Sequence, residues 1–517
     1  MINKTKNVVI SSPIEKCHST SVISSSIEKC HSQSVISREH EKSYNTTVIS
    51  SEIEKCHSQH VISNACEKSY NTAVISSSIE KCHSQLVISS ERKKSYKTVV
   101  ISSEIEKCHL QPFISSEIEK YHSTLFTAIF FLLFFTTTLL SQIAVKGDKI
   151  YTMNGEVIEK GIIIIEEGKI TAIGKSDRIR IPQNIKVIEG KVVTPGLIDS
   201  RSVVGLAGIY NQPHDQDQLE KSDPIQPELR AIDAYNPREE LVNWIRNFGV
   251  TTINTGHAPG ALISGQTMIV KTYGTMEPNT ILDSVSMVAF SLGSEVASEF
   301  KSPGSRPKGI AMLRSKLYEA KAYSEKKNSD DQNPPINIEY EILSKVLNKE
   351  IPALITADKA VDILGALRLA EEFSFELILN GAEESYLVID EIKKANVPVI
   401  LHASMARLSS GSLETASKLK EVGILFSIES GYESYVPKTR VVLFEAGVYA
   451  ANVLSFEDAL ASITIDAAKI LKIDDKVGSI EVGKNADIAI YNGDPFEYTT
   501  HCCGVIIDGK IFKEECK

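Results

Sequence analysis

Hydrophobic positions change their spacing along the chain in three steps. Over the first hundred-odd residues the apolar content is one short Val-Ile group per unit of 13, a period marked by Lys16, Lys29, Lys42, Lys55, Lys68, Lys81, Lys94, Lys107 and Lys120. Units alternate between forms such as IEKCHSQ-VISS and EKSYNT-VISS. So little apolar surface does not offset the entropy of ordering a chain, so residues 1–124 are expected to be disordered and read as a translated tandem DNA repeat. Next comes LFTAIFFLLFFTTTLLSQIA, Leu125 to Ala144, without a charge. Its Thr and Ser after a Phe-rich run resemble the end of a signal peptide's apolar region. Translation from near Leu125 would make it an export signal, and translation of the repeats would make it a membrane anchor if it stays uncleaved. Both readings lead to the same expectation, a globular part that is exported (periplasmic or secreted) or membrane-anchored.

From Val145 the period shortens to that of strands. KIYTMNGEVIEKGIIIIEEGKITAIGK places runs at Ile162 to Ile165 and Ile170 to Ile173 between Gly155, Gly161, Gly168 and Gly174, which predicts a small antiparallel sheet. A matching β block, VGSIEVGKNADIAIYNGDPF and GVIIDGKIF, closes the chain. Two such blocks around a long middle predict one sandwich assembled from residues 145–192 and 471–517. Between them, over 193–470, strand-like runs (GVTTINT, IPALIT, FELILNG, VPVILHA, GILFSIE) alternate with helical ones. In DKAVDILGALRLAEEF, Ile363, Leu364, Leu367 and Ala370 share one helix face. Repeated βα units of this length predict parallel strands with crossover helices, an α/β class.

Composition changes this picture little. The 517 residues are 42% hydrophobic, enough for one large core with appendages, and the net charge of -10 lacks the clustered basic residues that bind nucleic acid. Of nine cysteines, six fall in the repeats, and Cys502, Cys503 and Cys516 lie at the far end. That distribution is not a disulfide scaffold, and the Cys-His pairs of the repeats fit no zinc spacing.

Several segments resemble the amidohydrolase superfamily, specifically imidazolonepropionase-like metal-dependent hydrolases: VVTPGLIDSRSVVG, ELRAIDAYNP, GVTTINTGHAPGALISGQ, ADKAVDILGALRLAEEF and, most specifically, ASITIDAAKILKIDDKVGSIEVGKNADIAIYNGDPF. The resemblance implies a (β/α)8 TIM-like barrel with a composite β-sandwich, hydrolysis of carbon-nitrogen bonds other than peptide bonds, a small-molecule substrate and often a homodimer. It also implies zinc or another divalent metal held at the C-terminal ends of the strands. The expected Asp-x-His-x-His is absent: Asp199 is followed by Arg201 and Val203 in the histidine positions. A guanidinium repels a divalent cation and valine has no donor atom, so no metal is expected.

The family's later positions fall on Thr356 with Asp358, on Asn380, and on Glu429 where an aspartate would serve as base. None of His214, His257, His402 and His501 aligns with a ligand. The candidate catalytic set is therefore Asp199, Arg201, His402 and Glu429, with Thr356, Asp358, Asn380 and Arg440 as substrate-binding candidates. Arg201 has two open readings, a bidentate clamp on an anionic substrate or an ion pair with Asp199 or Glu429. Helix capping is the competing explanation for Asp358, and a simple Gly-rich turn is the one for His257. Two functions stay open: a hydrolase with a degenerate or lost metal centre, and a non-catalytic relative that binds a ligand or partner at the barrel mouth.

Overall fold

The computed structural model describes residues 142–210, 212–329, 334–402, 411–431 and 441–516, together with short strands between 21 and 102. The chain divides into two units, Met1–Phe134 and Phe135–Lys517.

In the first unit the repeats, expected to be disordered, carry strands β1 (Ser21–Glu28), β2 (Ser34–Ile36), β3 (Thr46–Glu54), β4 (Gln59–Asn64), β5 (Thr72–Glu80), β6 (Gln85–Ser90) and β7 (Val99–Ser102). They pair in parallel as β1-β3-β5-β7 and β2-β4-β6. Val22 stands opposite Val48, Val48 opposite Val74 and Val74 opposite Val100, each two repeats further on. The expectation considered burial alone, whereas stacked repeats gain backbone ladders between like neighbours.

The second unit begins with β8 (Ile143–Tyr151), β9 (Val157–Glu166), β10 (Lys169–Lys175) and β11 (Lys186–Pro195), and it ends with β20 (Ile488–Tyr491), β21 (Cys502–Ile507) and β22 (Lys510–Glu514). These form one seven-stranded sheet, ordered β10-β9-β8-β11-β20-β21-β22, so both ends of the unit build it. Ile143, Val145, Ile163, Ile165, Ile488, Ile490 and Ile506 from both contributions share one core, in which their period of two is satisfied. Ile143 and Ala144, the end of the long apolar run, are the first residues of β8, with Ile143 facing Lys186 across the β8–β11 ladder. The preceding part of that run lies outside the described residues. Among the described residues no helix is long and apolar enough to cross a membrane.

The middle forms an eight-stranded sheet in sequence order: β12 (Leu197–Ser202), β13 (Val250–Gly256), β14 (Ile263–Lys271), β15 (Ile281–Ser291), β16 (Ala353–Ala357), β17 (Leu377–Gly381), β18 (Val399–Leu401) and β19 (Phe426–Ile428). It curls into a TIM-like barrel whose first and last strands meet through side chains, Ser200 Oγ lying 2.8 Å from Ser427 Oγ. Helices Ala360–Phe373, Ile389–Ala395 and Glu414–Glu421 follow β16, β17 and β18, as the βα pattern predicts. One strand departs from that pattern. β14 runs antiparallel to both β13 and β15, because only a short turn separates it from β13, too little chain for a crossover helix. Buried polar groups of β12, β13 and β15 bond to one another. Asn254 Nδ2 donates to the Ser200 carbonyl at 3.0 Å, and Ser286 Oγ donates to Asn254 Oδ1 at 2.9 Å.

A buried ion triad ties barrel to sheet. Lys271, at the end of β14, is 1% exposed, and its ammonium donates to Asp487 at 3.0 Å and to Asp508 in the β21–β22 turn.

Candidate active site

Parallel strands bring their C-terminal ends to one face of a barrel, so residues far apart in the chain converge there. Asp199 and Arg201 are at the end of β12, Thr356 at the end of β16, and Asn380 near the end of β17, where it stands opposite Thr356 in the ladder. His402 and Glu429 directly follow β18 and β19. All six are buried. Asp358 follows β16 and is half-buried. Arg440 lies outside the described residues.

Hydrogen bonds link part of this set. The Ser430 N–H donates to Asp199 Oδ1 at 3.1 Å and that of Arg201 at 3.4 Å, so the first strand's carboxylate reaches the loop after the last strand. Asn380, with its amide oriented by the surrounding network, donates to Glu429 Oε2 at 2.9 Å and accepts from the Gly381 N–H at 3.0 Å. The His402 N–H donates to the Gly381 carbonyl at 3.0 Å, and its own carbonyl accepts from the Tyr449 hydroxyl at 3.4 Å.

The Arg201 guanidinium is held by backbone oxygens. Its Nη1 donates to the Ser202 carbonyl at 3.0 Å and its Nη2 to the His257 carbonyl, while Nε is buried without a protein partner. Among the described residues it forms no ion pair, although the charges of Glu429 and Asp199 act on it. The guanidinium is thus pinned by backbone oxygens, and its Nε–H is left without a protein acceptor.

The carboxyls are not equivalent. Burial raises the Asp199 pKa to about 6, with the Ser430 and Arg201 bonds and the Arg201 charge pulling it back. Glu429 is raised well above the usual carboxylate range by burial and by repulsion from Asp199, Asp358 and Glu445, against the opposing Arg201 charge. Both carboxyls therefore hold their protons more tightly than free ones do.

Asp358 lies one residue before the cap position of the helix it was expected to serve. The cap position of helix Ala360–Phe373 is Lys359, without a side-chain bond, and Glu384 from the β17 loop accepts from the Ala360 N–H at 2.8 Å. The Asp358 carboxylate packs against Gly381, which has a positive φ of 74° and no room for a Cβ. That placement explains the glycine.

His257, read from sequence as part of a simple turn, is a buried member of the site region. Burial and then the Arg201 charge lower its pKa to about 4, so the imidazole is neutral, and neither ring nitrogen is hydrogen-bonded. Its ring packs against Gly265, where an added Cβ would meet Cδ2 at 2.5 Å. Glu445 was also missed. It is fully buried on helix Val442–Asn452, and a lone carboxylate in the apolar run VLFEAGVYAAN was the available signal.

The donor set does not fit a divalent metal. Arg201 is cationic, Val203 has no donor atom, and no group of three or more His, Cys, Asp or Glu among the described residues is placed to share an ion.

Known proteins resemble this chain over the same region. The model of the amidohydrolase family matches residues 437–512. An imidazolonepropionase from Fusobacterium nucleatum is 25% identical over 403 residues, covering 70% of this chain and 92% of that protein. Another from Alkaliphilus oremlandii is 24% identical over 403 residues, with 69% and 92% covered. The crystal structure of an amidohydrolase from Thermotoga maritima superposes with a TM-score of 0.67 at 23% identity, covering 72% of this chain and all of that one, a likeness of fold. The barrel, the sheet built from both ends and these relatives agree, and the chain is similar to the amidohydrolase superfamily in sequence and in fold.

Proposed function

We propose that the protein hydrolyses carbon-nitrogen bonds other than peptide bonds in a small substrate, such as a cyclic amide, without a bound metal. The observation that supports this reading is the buried Asp199–Glu429 pair, whose members hold protons with different strength, next to a pinned guanidinium with an unspent N–H. Two titratable groups pushed apart by their surroundings divide the acid and base roles. In this reading Asp199, mostly ionised at neutral pH, takes a proton from water as it attacks the carbonyl. Arg201 Nε donates to the oxygen on which charge develops, and Glu429 gives its proton to the departing nitrogen. Thr356 and Asn380 orient the substrate, His402 lines the same mouth, and burial keeps bulk water from competing.

The test is ring opening of imidazolonepropionate and of hydantoins by the full chain, followed by ultraviolet absorbance with and without a chelator. Turnover that survives chelation and falls by about 100-fold or more in D199N and E429Q is expected, as for loss of an acid or base. Full activity of E429Q would sink the assignment. A second reading, a ligand-binding relative without turnover, is favoured by the Asp199 oxygen already held by two backbone N–H groups. Binding of these compounds without ring opening would select it.

A further inference from the structure

The terminal hairpin carries much of the attachment between sheet and barrel. Phe512 on β22 packs on Tyr273 at 4.8 Å between ring centres, and the Arg246 guanidinium lies 4.7 Å over the same Phe512 ring. Lys510 lies 4.8 Å over Tyr273 and 3.5 Å from Glu277, and Asp508 pairs with the buried Lys271. Yet β22 is the last strand of its sheet and bonds to β21 alone, a position from which strands fray. A disulfide between Cys503 of β21 and Cys516, two residues beyond the end of β22, closes that edge.

Strand alternation decides which of two adjacent cysteines can pair. Cys502 points into the barrel-side core and Cys503 into the core of the sheet, so the neighbours face opposite ways. Cys502 is buried and its thiol is pushed up to about 12, which keeps it out of exchange. The bonded pair is different: Cys503 and Cys516 line an open cleft of about 660 Å³, and Cys516 is the less buried of the two. The lining mixes Lys146, Lys160 and Lys191 with Asp148, Glu189 and Glu515, so an uncharged small thiol meets no electrostatic barrier.

We propose that the Cys503–Cys516 disulfide is a thiol-reducible lock that fastens the edge strand joining sheet to barrel, formed when the protein matures in an oxidising compartment. In reduction, a thiolate of a small thiol attacks Cys516 Sγ, the S–S bond breaks, and the electron pair leaves on Cys503 Sγ, which takes up a proton. A second thiolate then attacks the added sulfur and releases Cys516 as a thiolate that is protonated in turn. One small-molecule disulfide forms, and both cysteines end as thiols.

The test uses the full chain oxidised with a glutathione redox couple. Six cysteines lie in the repeats, so thiols are assigned by peptide mass rather than by total count. A tryptic map without reductant is expected to show residues 485–510 joined to 514–517, and C502S is expected to keep that link. Dithiothreitol should break it while the protein stays folded and lower the unfolding temperature by about 5 °C. C516S should show the lower temperature from the start and no response to dithiothreitol. Recovery of Cys503 and Cys516 as free thiols from the oxidised protein would overturn the proposal. So would a link whose reduction leaves the unfolding temperature unchanged.

Discussion

Asp199 and His257 are displaced from their ordinary proton affinities in opposite directions by the same burial, and this makes them separable by pH. Asp199 holds its proton more tightly folded than unfolded, so its contribution is full below about pH 4 and is lost as pH rises through about 6. The stability difference between wild type and D199N is expected to shrink by about 3 kcal/mol over that window, since each tenfold change in proton affinity corresponds to about 1.4 kcal/mol. His257 is held below its ordinary value, so its contribution is present above pH 6.5 and lost as pH falls toward 4. The difference between wild type and H257Q should therefore grow with pH. Urea unfolding at several pH values reads both slopes, and slopes of equal sign would contradict the burial argument. Gly265 belongs to the same scale. With φ at 129° and the His257 ring against it, G265A is expected to destabilise the protein by about 1–3 kcal/mol in the same assay.

Between elements, the Lys271 triad is the most exacting contact. The ammonium is fully buried and its two carboxylates come from β20's start and the β21–β22 turn, so removing it leaves buried charge without compensation. K271M is expected to cost about 3–5 kcal/mol, and adding D487N to recover part of that, because the isolated carboxylate carries the penalty. Thermal and chemical unfolding of the single and double variants check it, and additive losses would show that the triad does not act as a unit. The antiparallel β14 was not legible in advance. ALISGQTMIVK carries no Pro or charge run to mark its direction, and the short turn before it acts only once β13 has a neighbour to pair with. Helix Ala360–Phe373 was legible, since its apolar face repeats at helical spacing whatever surrounds it.

At the scale of the whole molecule, a buried guanidinium stands at the strand ends, where a divalent ion would need neutral or anionic donors. Elemental analysis of the full chain purified without chelator is expected to find well under one equivalent of zinc. A stoichiometric ion that resists dialysis would show that residues outside the described set complete a centre.

The sequence by itself determined the α/β class, the sheet drawn from both ends and the strand-end positions of Asp199, Arg201, Asn380 and Glu429, because strand and helix periods and a long family motif are local properties of the chain. It also carried the absence of histidine at the positions of Arg201 and Val203. Only the tertiary structure decided what those residues meet: that Arg201 donates to backbone oxygens, that Glu384 from the β17 loop accepts from the first turn of helix Ala360–Phe373, that His257 is buried beside Arg201, and that Cys503 rather than Cys502 bonds Cys516. Burial, proton affinity and the face a side chain takes depend on residues distant in sequence, and a linear pattern does not contain them.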